Sequence, residues 1–156
     1  MSTLLLRSTS VDLMVCQLQA ADRSEVISSL AKRLAETDPG IDADFISGVA
    51  LAREEIESTG IGDGVALPHA RTDGVQSTRL CVATLAEPVD WGAYDEVAVR
   101  AVFLILGSRR APAQQLRVLA DVSGLVRQAG FVEKLVATAS EAAMFEALRS
   151  VSTRKA

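Results

Sequence analysis

The segment Val97 to Leu106 most constrains how this chain can fold. It is a run of apolar, largely branched residues with no polar alternation after Arg100. A strand of that kind needs cover on both faces, and such cover comes from helices packed above and below a sheet. Arg79 to Leu85 is a second apolar, branched run of strand type, and Val11 to Leu18 a third, with imperfect alternation. Composition supports a layered core: 49% of the residues are hydrophobic but only 4% are aromatic, so Leu, Val, Ile and Ala must fill it. A length of 156 residues favours one domain.

Helical patterns separate and follow these runs. Asp22 with Glu25 three residues on has the form of a capping box, and Val26, Ile27, Leu30 and Leu34 give one apolar stripe. Asp38-Pro39-Gly40 ends that helix. Asp42 can cap a second helix whose stripe reads Phe45, Ile46, Val49, Ala50, Arg53 and Ile56. Arg53 on that stripe requires a partner, because a buried charge is costly alone. Glu87 to Gly92 reads as a loop. Pro112 fits the first turn of a further helix with Leu116, Leu119, Ala120 and Ser123 inward. Phe131 to Ala137 is a short helix, Ser140 caps a last one carrying Met144 and Leu148, and the residues after Ser150 fray. The order strand, two helices, strands, helices predicts a layered α/β domain, and because it is not a simple βαβ alternation, a mixed sheet.

Charge and composition exclude several functions. The net charge is −4 and the only basic clusters, Arg109-Arg110 and Arg154-Lys155, are short, so no basic field for nucleic acid exists. No apolar run approaches the length of a membrane span, and three leucines at the N-terminus are too few for a signal peptide, so the expectation is a cytoplasmic protein without membrane insertion. Cys16 and Cys81 lie in apolar runs and read as two small buried hydrophobes rather than a disulfide framework.

His69 is the only histidine, which rules out a site of several histidines, and no His/Cys zinc spacing, P-loop or GxSxG elbow is present. No metal or cofactor is expected. The ring follows Pro68 and a stretch, Ser58 to Leu67, that contains Gly60, Gly62 and Gly64. The residues leave two readings open. The glycines' amides could cup an anion, or the stretch could be a tight turn without a ligand. A phosphoryl acceptor needs an unprotonated ring nitrogen, and a free imidazole, with a reference pKa of about 6.5, is roughly three-quarters neutral at pH 7. Phosphoryl transfer then asks mainly for positioning and charge stabilisation, for which Arg53 and Arg71 are the candidate guanidiniums.

Arg53-Glu54-Glu55 followed by Ser58-Thr59-Gly60-Ile61-Gly62-Asp63-Gly64-Val65-Ala66-Leu67-Pro68-His69-Ala70-Arg71 resembles the signature of phosphotransferase-system enzyme IIA domains of the mannitol/fructose/nitrogen-regulatory class. Glu87 to Ala93, Ala101 to Leu106 and Gln115 to Ala120 extend the resemblance to roughly residues 10–150. It implies a three-layer α/β/α domain with a mixed sheet, and a phosphoryl carrier that accepts phosphate on His69 from a histidine phosphocarrier. Arg53 matches the family's active-site arginine, while Thr59, Gly62, Gly64 and Arg71 would lie about the phosphate. The family usually carries a second active-site histidine where this chain has Gln115, whose amide can donate to a phosphate oxygen but cannot become cationic. The acceptor would be a IIB protein or none. A stand-alone unit resembles the nitrogen-regulatory branch, and the alternative is a regulatory binding module on the same fold with phosphotransfer weakened or lost.

Overall fold

The computed structural model of the chain describes residues 4–154. Its centre is the apolar run, which forms strand β6, Val99–Ser108, buried at every position except Arg100. β6 pairs antiparallel with β5, Arg79–Val89, setting Leu80 opposite Ile105 and Val82 opposite Phe103. β1, Met14–Leu18, adds in parallel to the far side of β5. On the other side β6 receives two short parallel partners, β3, Val65–Ala66, and β4, His69–Thr72, while β2, Gly60–Gly62, pairs antiparallel with β3 at the edge.

The sheet is therefore mixed, and the two-residue side-chain period of β6 divides the core into two layers. Val102, Leu104 and Leu106, with Cys81 and Ala83 of β5, face α2, Arg23–Thr37, and α3, Ala43–Ile56. Ala101, Phe103 and Ile105, with Leu80 and Val82, face α4, Pro112–Val126, α5, Phe131–Val136, and α6, Glu141–Arg154. The short α1, Leu4–Arg7, joins the second layer through fully buried Leu5. Each fully buried Leu, Ile or Phe contributes about 1.5–3 kcal/mol of burial, so both faces of β6 carry the fold.

The capping expectations hold: Asp22 accepts the Glu25 amide at 2.9 Å and Asp42 the Phe45 amide at 3.2 Å. The Glu25 carboxylate reaches back to the amide of Ala21, one residue beyond the usual capping-box target. Ser140 Oγ accepts the Ala143 amide at 3.1 Å, and Pro112 opens α4.

Several local expectations need correction. The run Val11 to Leu18 is a 3-10 turn over Val11–Leu13 before the strand proper. β5 runs on through Glu87-Pro88 to Val89, with a break in register after Thr84 that accommodates the proline. The buried line of α4 is Gln115, Val118, Val122 and Leu125, and Leu116 is 59% exposed. The buried line of α3 is Ile46, Ala50 and Glu54; Phe45 and Ile56 face solvent. Cys81 is buried, but Cys16 is only half-buried. The last helix continues past Ser150 to Arg154, and Lys155 lies outside the described residues.

Candidate functional site

The glycine-rich stretch folds into three short strands rather than a loop. Asp63 and Gly64 both have positive φ, 57° and 81°, and link β2 to β3 as a two-residue hairpin of the Asp-Gly kind. Pro68 then separates β3 from β4, where its missing amide costs no ladder bond, and its carbonyl accepts from the Ile105 amide at 3.0 Å. Both β3 and β4 thus stay in parallel register with β6, Val65 beside Ala101 and His69 beside Ile105.

This register decides what surrounds the histidine. The hairpin turn lies at the Val99 end of β6, before Val65, and His69 sits four residues beyond Val65, about 13 Å further along at strand rise. Gly62 and Gly64 consequently serve the hairpin and not the ring. The Asp63 amide is taken by the Asp95 carboxylate at 3.0 Å, and the Gly64 carbonyl accepts from the amides of Arg100 and Ala101. A phosphate cup built from Gly62 and Gly64 beside His69 is not what the fold forms.

His69 itself is half-buried at the start of β4. Its Nδ1 lies 3.0 Å from the carbonyl oxygen of Leu67. A carbonyl has no proton to give, so Nδ1 carries the hydrogen and donates it. In that tautomer the lone pair lies on Nε2, which has no hydrogen-bond partner among the described residues.

Ala70 packs into the α2/α3 layer, so His69 and Arg71, its neighbours in a strand of period two, project to the opposite face. Gln115, in the first turn of α4, closes on that face. It is 4% exposed. Its Oε1 accepts from Arg71 Nε at 2.6 Å, and its Nε2 donates to the carbonyls of Ala70 at 2.9 Å and Ile105 at 3.3 Å. His69, Arg71 and Gln115 are thus brought together.

Arg53 and Thr59 are differently occupied. Arg53 Nη1 donates to the Glu57 carbonyl at 2.7 Å and so closes the end of its own helix, α3, which packs beside β4. Thr59 gives both its amide, at 2.8 Å, and its hydroxyl to the carboxylate of Glu54.

That carboxylate was not among the sequence-level candidates. Glu54 is 2% exposed and also accepts from the indole Nε1 of Trp91 at 2.8 Å, with Trp91 itself 1% exposed. Three donors replace water around this buried carboxylate, and among the described residues no cation forms an ion pair with it. The network reaches the ring: Glu54 fixes Thr59, the Thr59 carbonyl accepts the Leu67 amide at 3.0 Å, and the Leu67 carbonyl holds His69. The spacing Ile46, Ala50, Glu54, each four residues apart, is the signal that would have turned Glu54 inward.

Among the described residues no cluster of His, Cys, Asp and Glu could hold a metal ion, and no helix is long and apolar enough to cross a membrane.

A mixed sheet covered by helices on both faces is the architecture of the enzyme IIA class of domains. The chain belongs to that family: residues 7–151 match the model of the phosphoenolpyruvate-dependent sugar phosphotransferase system, EIIA 2. It is 31% identical over 124 residues to the nitrogen regulatory protein of Pseudomonas aeruginosa, covering 80% of each chain. Its fold matches the nitrogen regulatory protein IIA-Ntr of Neisseria meningitidis with a TM-score of 0.83 at 25% identity, over 91% of this chain and 97% of that one. It also matches enzyme IIAMTL of Escherichia coli, solved in complex with phosphorylated enzyme IIBMTL, with a TM-score of 0.75 at 21% identity, over 90% and 96% of the two chains.

Proposed function

We propose that this protein is a phosphoryl carrier of the phosphotransferase system, with His69 Nε2 as the acceptor atom and a histidine phosphocarrier as the donor. The observation that carries the reading is the Nδ1 bond to the Leu67 carbonyl, which fixes the tautomer and aims the other nitrogen outward. No separate base is needed. The Nε2 lone pair attacks phosphorus, the new P–N bond forms as the donor's P–N bond breaks, and the donor ring leaves with that electron pair. His69 keeps its Nδ1 proton, and the positive charge its ring acquires sits against the Leu67 carbonyl oxygen. In-line positioning and charge stabilisation are what remains for the protein to supply.

The two nitrogen regulatory proteins among the relatives named above are what favours a nitrogen-regulatory role over a sugar-specific one. Transfer onward to a IIB protein, as the complex of the Escherichia coli mannitol protein suggests, would use the same open nitrogen.

Mass spectrometry after mixing with phosphoenolpyruvate, enzyme I and a histidine phosphocarrier tests the proposal: the chain should gain about 80 Da as an acid-labile adduct, the mass of one phosphoryl group. His69→Ala should abolish it. A wild-type chain that stays unmodified yet retains a protein partner would replace the carrier reading with that of a regulatory binding module.

A further inference from the structure

Gln115 stands where the family usually has a second histidine, and the simplest view makes it a substitute donor to the phosphate. The geometry is against that. A glutamine amide offers one acceptor oxygen and two N–H donors. Here the oxygen is taken by Arg71 Nε at 2.6 Å, and Nε2 is directed to the carbonyls of Ala70 and Ile105 at 2.9 and 3.3 Å. At 4% exposure the side chain has nothing left to offer a ligand.

We infer that Gln115 is a positioning residue, and that the group it positions, the Arg71 guanidinium, is what grips the phosphoryl group in transit. The inference rests on the carrier reading of His69. Arg71 lies two residues after His69 on the same face of β4 and is exposed. Its one hydrogen bond among the described residues uses Nε, so both terminal nitrogens of the fork remain open to phosphate oxygens. The carbonyls that Gln115 holds are telling as well. Ala70 lies between His69 and Arg71, and Ile105 is the β6 residue in register with His69. One amide therefore staples the His69–Arg71 segment to the central strand and orients its guanidinium. The fit is close, since a Cβ on Gly107 would stand 2.6 Å from Gln115 Cδ. A histidine at this position, with two ring nitrogens, cannot supply two donors and an acceptor together.

The test is a double-mutant cycle on the rate at which His69 is phosphorylated by a phosphorylated histidine phosphocarrier. Arg71→Ala, which removes an exposed side chain and keeps the fold, should slow transfer about 100-fold, the scale for losing one donor to developing charge. Gln115→Ala should slow it about 10-fold, as for other residues that orient a contacting group. If Gln115 acts through Arg71, adding Gln115→Ala to Arg71→Ala changes nothing further; a merely structural role would lower both backgrounds by the same factor and overturn the inference. Gln115→His should slow transfer, and an increase would overturn the inference. An independent readout is solvent exchange of the Arg71 Nε–H by NMR in the unphosphorylated protein, which should be protected and become fast in Gln115→Ala. Fast exchange in the wild type would sink the clamp. A wild type that takes no phosphoryl group removes the carrier reading and this inference together. A phosphorylated wild type matched within twofold by Arg71→Ala removes this inference alone.

Discussion

Replacing Glu54 by alanine probes the network beneath the histidine most directly. In the native fold the carboxylate satisfies the Trp91 indole N–H, the Thr59 amide and the Thr59 hydroxyl, with Glu54, Thr59 and Trp91 at 2%, 6% and 1% exposure. Alanine leaves the indole N–H and the amide buried without an acceptor, while the hydroxyl can rotate. Each orphaned donor costs about 1–3 kcal/mol, so with two of them the substitution should destabilise the protein by about 2–6 kcal/mol. Glu54→Gln should cost less, because the amide oxygen still accepts from Trp91 or Thr59, but its NH2 group must face a remaining donor. Urea unfolding followed by fluorescence is the assay, and Trp91 is the chain's only tryptophan, so the reporter sits inside the network. Because Thr59 leads through Leu67 to His69, the same variant should loosen the ring and broaden its NMR signals. A loss below about 1 kcal/mol would refute the reasoning, since it would mean that water or a rearranged backbone satisfies these donors.

Three other outcomes follow from the geometry. Gly107→Ala places a methyl 2.6 Å from Gln115 Cδ and 2.9 Å from its Oε1, so it should cost about 1–3 kcal/mol in a denaturant titration and displace the glutamine from Arg71. The Cys16 amide, donating at 2.9 Å, holds the Glu141 carboxyl below its usual range, so its stabilising effect is complete above the unfolded-state value and is lost as pH falls through the lower folded-state value. Glu141→Gln should accordingly flatten the acid limb of the stability–pH curve between those two values, measured by thermal melts across the acid range. Burial pushes the Cys81 thiol up to about 12, so a thiol reagent at pH 8 should leave Cys81 untouched in the folded protein and modify it only after denaturation.

The layered fold was legible in the sequence because its signals are local and strong. The apolar runs at Arg79 and Val97 state their own burial, and Asp22, Asp42 and Ser140 announce helix starts through bonds that span three residues. The histidine stood out by being alone beside Pro68. Helix phase was harder to read: on α3 the alternatives Phe45/Val49/Arg53 and Ile46/Ala50/Glu54 differ by one residue, and the partners that meet Glu54 inside, Thr59 and Trp91, come from outside the helix.

What the chain by itself determined, then, is the longer strands and the helices and the candidate acceptor residue, since propensity, capping and hydrophobic period act over a few neighbours. Tertiary structure alone decided the company His69 keeps. Parallel register on β6 places the Gly62–Gly64 hairpin beyond Val65, itself about 13 Å along the strand from His69, and brings Gln115 to Arg71 across 44 positions of sequence. Pairings over such separations depend on where whole strands and helices come to rest, and no local pattern encodes that.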